Sequence, residues 1–417
     1  MRATGWELKK ILKDPVVWCA LAVALLLQSF GIFAGTDGEN PRYMPSAPAF
    51  RAELRKARED MARFAGPITQ AWIDRLQKEA EAILDDPGYR VSETEAEAIV
   101  EAYVSRYGYQ AEAVRERRAL FLNEAGRAEY ETYEDAMVAS NFYWYARRQG
   151  EWLAERYLRA DPGADGEALA AAARGWYDAF AGEYTAEYHY SFGYQRVRAL
   201  MTLYPYTMGA VILTALAPLF SAEYAKRTDA LVLTSQNGRR KAARAKLRAG
   251  LLTALTVWGL LTAWDLVAIF ALYGTTGWEA FWQDWLIVVA PFPWTQGEAT
   301  LVSLVTSLLG ALYFAILVML ISSRAGHPFT SMAAGAALLL LPMFDLVVSA
   351  DPLADMICGL FPSRMMMGER IWQGFSLFRF AGVSVPYQCV ALVVAAFASL
   401  FACVMMVRFF SGRQVVQ

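Results

Sequence analysis

The stretch that decides the fold is residues 16–34, VVWCALAVALLLQSFGIFA. It contains no charged residue, and its length matches the roughly 20 apolar residues with which a helix crosses the hydrocarbon core of a bilayer. It is longer than the apolar core of a typical signal peptide, and no clear small-residue cleavage site follows it. We therefore expect a retained membrane anchor rather than a cleaved leader.

Five further apolar runs follow, so the sequence predicts about six membrane-spanning helices. Their approximate bounds are 199–220, 249–272, 300–321, 328–350 and 385–407. Helices are expected because a spanning helix pairs its own backbone N–H and C=O groups where no water is available. The predicted fold class is all-α, a polytopic membrane protein with a large helical extracytoplasmic domain between the first and second spans. The predicted segments are a cytoplasmic amphipathic helix at 1–14, the first span at 15–34, the helical domain at 35–198, and spans two to six within 199–417.

The charges are distributed unevenly, and this predicts the orientation. Residues 35–199 hold 29 of the 41 acidic residues but only 21 of the 39 basic residues, whereas residues 221–248 are rich in Lys and Arg and residues 273–299 contain neither. Short segments rich in Lys and Arg stay in the cytoplasm. We therefore expect a multi-pass plasma-membrane protein with both termini and loop 221–248 in the cytoplasm and residues 35–198 outside. Against this rule, three arginines precede the last span, at Arg364, Arg370 and Arg379.

The acidic block, residues 35–199, contains signals that start and end helices, and it contains no cysteine. We therefore expect a helical domain without disulfide bonds. Ser92 with Glu95 predicts a capping box at the start of a helix. Asp161-Pro162-Gly163 predicts a break between two helices. Its dense aromatic residues predict a core, or alternatively a surface for a hydrophobic or peptide ligand.

The segment between the second and third runs carries most of the functional information. Residues 217–250 are APLFSAEYAKRTDALVLTSQNGRRKAARAKLRAG. The pattern predicts a short amphipathic helix, a turn at Gly238, and a basic segment that leads into the third span. One interpretation is a positively charged loop that contacts anionic lipids.

The order of these residues also resembles the cytoplasmic loop of ABC-2 type permeases, the membrane subunits of ATP-binding-cassette exporters. In that family a Glu follows the second span, a Thr precedes a Leu-rich short helix, a small polar turn with Arg follows, and a Lys leads into the third span. The matching positions are Glu223, Thr228, Leu231, Ser235, Arg239 and Lys246. The basic helix before the first span is similar to the elbow helix of the family. The resemblance covers about 250 residues of the membrane portion.

The resemblance implies that loop 221–248 is a coupling helix that docks on a separate ATPase subunit. The expected contacts with that subunit are Glu223, Lys226, Arg227, Thr228, Leu231, Ser235 and Arg239. This chain has no phosphate-binding loop of the G-x-x-x-x-G-K-[ST] type, so ATP and Mg²⁺ would be bound by the partner, and no cofactor or enzymatic activity is expected here. An exporter of this class needs two membrane halves, which implies a homodimer or a heterodimer with a related permease, in contact with lipid and not with nucleic acid. A peptide or an amphipathic compound is a conceivable substrate.

Asp265 and Asp345 are carboxylates inside apolar runs, where charge is costly and often functional. They are candidates for a translocation path, and the alternative is polar packing. Two other functions remain open. One is a membrane-anchored sensor or scaffold that uses the outer domain without transport. The other is an ion-coupled carrier based on Asp265, which the lack of an inverted repeat disfavours.

Overall fold

The computed structural model describes residues 2–34, 48–228, 239–283, 290–348 and 352–412. In chain order its helices are α1 (Arg2–Leu12), α2 (Pro15–Ala34), α3 (Phe50–Phe64), α4 (Gln70–Asp85), α5 (Glu93–Tyr107), α6 (Ala111–Arg115), α7 (Glu124–Val138), α8 (Phe142–Ala160), α9 (Ala164–Glu183), α10 (Phe192–Ala225), α11 (Arg240–Tyr273), α12 (Gln296–Arg324), α13 (Pro328–Val348), α14 (Pro352–Gly359), α15 (Pro362–Met366), α16 (Arg370–Gln373) and α17 (Tyr387–Gly412). The strands are β1 (Gly66–Pro67), β2 (Glu187–Tyr188), β3 (Leu377–Phe380) and β4 (Val383–Pro386).

Five helices, α2, α10, α11, α12 and α17, are long and apolar enough to cross a membrane. The prediction of an all-α polytopic membrane protein is confirmed at this level. The sixth predicted span corresponds to α13, whose described apolar part, Pro328–Met343, is shorter than the other five. Its role as a sixth span therefore stays a prediction.

Helix α2 lies at the edge of the bundle and packs closely against α10. Half of its side chains are exposed and only a quarter are buried, as expected for a helix that faces lipid on one side. Its contact face includes Gly31, where a Cβ atom would come within 2.7 Å of Leu200 and 2.9 Å of Leu203. The glycine thus allows the two helices to approach.

Helices α3 to α9 form a helical domain, residues 48–191, between α2 and α10. The capping box of Ser92 and Glu95 is confirmed at the start of α5. The predicted break is also confirmed, because α8 ends at Ala160 and α9 begins at Ala164. No strand was predicted here, yet β1 and β2 pair antiparallel and bring the beginning and the end of the domain together.

The aromatic residues of this domain divide into two groups. Phe142, Tyr177 and Phe180 are buried, and Phe142 lies edge-on to Phe180 with ring centroids 5.6 Å apart. Trp144 and Trp152 are exposed, at 59% and 43%. The predicted aromatic core is therefore confirmed for the buried residues, and a ligand-binding role of the exposed ones stays a prediction.

Helix α10 begins at Phe192, earlier than the apolar run at 199–220 predicted, and it is irregular in the middle. A 3₁₀ turn at Met201–Leu203 is followed by a π turn at Pro205–Gly209. Proline has no N–H to donate and its ring clashes with the preceding helical turn. The wider π turn accommodates this, and such turns are frequent at functional sites.

The segment before α17 folds back among the spans. Gly310 of α12 meets the backbone at Met365 and Met366, where a Cβ atom would come within 2.6 Å of the Met366 nitrogen. Gly310 is fourteen residues after Gln296 in α12, so α15 reaches about 21 Å along that helix. Beyond it, β3 and β4 form a hairpin that returns to the helical domain. Residues 352–373 therefore have the form of a re-entrant loop, and we call them the re-entrant segment.

Candidate functional site

Four charged side chains meet at the end of the spans opposite the helical domain. Lys246, in the second turn of α11, donates to Glu223 Oε1 of α10 at 2.8 Å and to Glu7 Oε2 of α1 at 3.1 Å. Its third partner is the carbonyl of Leu219, at 3.0 Å. Only 1% of the Lys246 side chain is exposed, so the ammonium group depends on these partners for its solvation.

Lys10 completes this group, which we call the charge cluster: Glu7, Lys10, Glu223 and Lys246. Its Nζ lies 3.2 Å from Oε1 of Glu7 and 3.2 Å from Oε1 of Glu223. Burial lowers the pKa of Lys10, but the two carboxylates outweigh this and raise it above its usual value. Two positive and two negative charges balance, and they tie α1, α10 and α11 together.

Some of the residues predicted to contact the ATPase subunit are held within the protein, and others are exposed on its surface. Glu223 is held by the two lysines of the charge cluster. Lys226, Arg227 and Thr228 are exposed where α10 ends, and Arg239 is exposed just before α11. Leu231 and Ser235 lie outside the described residues.

The turn after α10 has a defined local geometry. The N–H of Thr228 donates to the carbonyl of Glu223 at 2.9 Å, and Arg227 has a φ of 53°, in the left-handed region. The turn thus directs Lys226 and Arg227 away from the spans. A basic patch (Lys226, Arg227 and Arg239) is the exposed part of this site.

The sequence did not single out Glu7 or Lys10 as functional. One signal was available, since Glu7 is the sole acidic residue among the first thirteen, in a segment rich in lysine. Its partner Lys246 is 239 positions away in the chain. Such a pair requires the folded arrangement of α1 against α11.

Of the two intramembrane carboxylates, only Asp265 can be placed. It is fully buried in α11, where it faces Tyr204 of α10, and Tyr204 also faces Thr262. Asp345 belongs to α13, but its side chain lies outside the described part of the structure. Whether the two share one path therefore stays a prediction.

At the domain end of the spans, a second buried ion pair joins α10 to the re-entrant segment. Arg198 is 3% exposed, and its Nε donates to Oε1 of Glu369 at 2.8 Å. The same guanidinium donates to the carbonyl of Trp282 at 3.0 Å and to Thr300 Oγ1 at 3.1 Å. The sequence assigned Arg198 to the end of the outer domain, and the longer α10 places it inside the protein.

The structure encloses one and pairs another of the three arginines that run against the charge rule. Arg364 is 2% exposed in α15. Arg379 of β3 pairs with Asp165 of the helical domain at 3.2 Å. Only Arg370 of the three is exposed.

Comparisons with models of protein families, with curated proteins and with solved structures found no match. Within the described residues there is also no group of three His, Cys, Asp or Glu side chains that could hold a metal ion.

Proposed function

We propose that this chain is the membrane subunit of an ATP-driven exporter whose ATPase is a separate protein. In this proposal the charge cluster lies at the cytoplasmic side and the helical domain lies outside. The ATPase docks on the basic patch and on the loop between α10 and α11. The observation that carries the proposal is the junction of α1, α10 and α11 by Lys246.

The charge cluster supports mechanical coupling between the loop and the spans. The loop leaves α10 just after Glu223 and rejoins the chain just before Lys246, in α11. Because these two residues share a hydrogen bond and both contact α1, a force on the loop moves three helices as one body. A loop that only contacts lipid would need basic residues, but it would not need this balanced junction.

The contacts at the other end of the bundle support a substrate path that is closed there in this conformation. The re-entrant segment packs on α12 at Gly310 and is fastened to α10 by the Arg198–Glu369 pair. The hairpin of β3 and β4 reaches the helical domain, where Tyr157 contacts Leu377. In an exporter, these contacts would have to rearrange as a substrate leaves.

The proposal includes a second membrane half, either another copy of this chain or a related permease. ATP and Mg²⁺ are bound and used by the partner ATPase, and this chain has no catalytic residue of its own. The exposed tryptophans Trp144 and Trp152 suit an amphipathic or peptide substrate that reaches the helical domain.

The test is purification of the tagged full-length chain in mild detergent, followed by mass spectrometry of the proteins that come with it. We expect an ATP-binding-cassette subunit in stoichiometric amount. Lys226→Glu combined with Arg227→Glu should remove it, because the basic patch then repels an acidic partner surface. The matched control reverses two exposed charges on the helical domain, Arg75→Glu with Lys78→Glu.

A chain that folds normally but never retains an ATPase, in detergent or in lipid nanodiscs, would contradict the exporter proposal. The close packing of the helical domain against the segment that joins α11 to α12, such as Phe142 on Phe281 with ring centroids 4.3 Å apart, would then favour a sensor. In a sensor, binding of a ligand to the domain would be transmitted to the spans without transport.

A further inference from the structure

A separate polar site lies inside the bundle, nearer to the helical domain than the charge cluster is. Asp265 and Tyr204 are both 0% exposed and Thr262 is 2% exposed. Asp265 precedes Tyr273, the last residue of α11, by eight positions, which places the carboxyl about 12 Å from the end of that helix. The carboxyl group is therefore well inside the span.

The polar groups of this site have one another as neighbours and no counter-charge. The hydroxyl of Tyr204 faces both Asp265 and Thr262, but among the described residues neither the carboxylate oxygens nor the two hydroxyls form a hydrogen bond of standard geometry. A buried carboxylate without a counter-charge costs several kcal/mol. Four oxygen atoms from two packed helices thus converge without a counter-charge, as the ligands of a cation would.

The charges around the site leave the carboxylate uncompensated. Tyr204 is the titratable group that faces Asp265, and no Lys or Arg of the described residues pairs with it. Arg196 lies two turns before Tyr204 on α10, and its Nη2 donates to the carbonyl of Gly31 at 2.5 Å. The site thus carries a single formal negative charge.

Neighbouring features extend the site on both sides. The π turn of α10 begins at Pro205, directly after Tyr204. On α2, Gln28 is fully buried, and its amide nitrogen lies 3.4 Å from Thr207 Oγ1 in the π turn, while its carbonyl oxygen has no partner. π turns are frequent at functional sites, and ion sites of membrane transporters commonly lie beside irregular parts of spanning helices.

We propose that Asp265, Tyr204 and Thr262 form a binding site for one small monovalent cation, either a proton or Na⁺. One carboxylate is neutralised by one positive charge, whereas a divalent ion would leave an unpaired buried charge. All the available ligands are oxygen atoms, which suits hard cations. Occupation removes the cost of the buried charge and so stabilises the packing of α10 against α11. This proposal does not depend on the ATPase.

The test is infrared difference spectroscopy of the full-length chain in lipid nanodiscs at neutral pH. The spectrum of Asp265→Asn is subtracted from that of the native chain, which isolates the carbonyl band of a protonated Asp265. The measurement is made once in sodium chloride and once in choline chloride. A band in both salts identifies a proton as the ligand, and a band in choline that Na⁺ abolishes identifies Na⁺.

Absence of the band in both salts, with no rise of the unfolding midpoint on addition of Na⁺, would overturn the proposal. Tyr204→Phe removes one oxygen without changing charge, and it should shift the band or weaken the effect of Na⁺. This variant keeps the test decisive if Asp265→Asn fails to fold. Asp178→Asn, at an exposed position of α9, is the matched control and should leave the spectrum in this region unchanged.

Discussion

Arg198 and Glu369 are 171 positions apart in the chain, yet Nε of the arginine lies 2.8 Å from Oε1 of the glutamate. The pair is almost fully enclosed, with 3% and 14% of the side chains exposed. It fastens the re-entrant segment to α10 beneath the helical domain. Because Arg198 also bonds to Trp282 and Thr300, four segments of the chain converge on one guanidinium group.

Removing the carboxylate of this pair should destabilise the protein strongly. Glu369→Ala leaves Arg198 buried without its counter-charge, and we expect the free energy of unfolding to fall by about 3 kcal/mol. The measurement is denaturant unfolding of the chain in detergent. Glu279→Ala, at an exposed position near the same end, should change it by less than about 0.5 kcal/mol. Equal effects of the two substitutions would show that the pair does not support the fold.

The charge cluster should behave as a coupled unit. Lys246→Glu places a third carboxylate beside Glu7 and Glu223, and we expect it to weaken the junction of α10 and α11. Adding Glu223→Lys restores the balance of charge and should recover part of the lost stability. A double-mutant cycle measured by thermal unfolding should give a coupling of at least about 1 kcal/mol. Strictly additive effects of the two substitutions would contradict the shared network.

Tyr157 should control how firmly the β3–β4 hairpin holds to the helical domain. Its hydroxyl donates to the carbonyl of Leu377 at 3.2 Å and accepts from the N–H of Leu377 at 2.5 Å. Tyr157→Phe removes both bonds and should cost about 1–3 kcal/mol, because the Leu377 groups lose their partner. Hydrogen exchange of the Leu377 amide should accelerate. Exchange as slow as in the native chain would mean that the hairpin is held by other contacts.

The stability of the chain should fall at alkaline pH, partly because of Tyr184. Burial raises the pKa of Tyr184, and the neighbouring Tyr143, Glu187 and Glu298 raise it further. The contribution of Tyr184 to the stability of the folded chain is therefore complete below the pKa of about 10 that a tyrosine has in the unfolded chain, and it is lost as pH rises above that value.

For Tyr184→Phe, we expect a smaller loss of stability above pH 10 than in the native chain. The difference should be at most about 1.4 kcal/mol for each pH unit, because a single group exchanges no more than one proton. Thermal unfolding between pH 8 and pH 11 measures it, with about one unit between points. Tyr107→Phe, at a tyrosine that is 56% exposed, is the control. A Tyr184→Phe curve parallel to that of the native chain would exclude this residue as a cause.

Local signals in the sequence predicted those parts of the fold that depend on neighbours along the chain. The apolar run at 16–34 predicted α2, because a spanning helix needs only length and hydropathy. Ser92 and Glu95 predicted the start of α5, because a capping box closes over three residues. The break at Asp161 was predicted for the same reason, since its carboxyl accepts from the N–H of Gly163, two residues on.

The beginning of α10 is a feature that such local signals did not predict. The run at 199–220 identified the span but not its beginning, because Arg196 and Arg198 were counted as water-facing charges. Their burial depends on partners from distant segments, the carbonyl of Gly31 and the carboxylate of Glu369. A hydropathy value assigns the same cost to every arginine, whether or not the folded protein supplies a partner for it.

The candidate site likewise has features that the sequence predicted and features that depend on the tertiary structure. The sequence by itself determined an all-α membrane protein, the position of its loops, and a basic segment with Glu223 before it and Lys246 after it. Only the tertiary structure decided that Glu223 faces Lys246 and Glu7, that Lys226 and Arg227 stay exposed, and that Asp265 faces Tyr204. The physical reason is that composition and periodicity act over a few residues, whereas ion pairs and buried oxygens depend on which helices pack together.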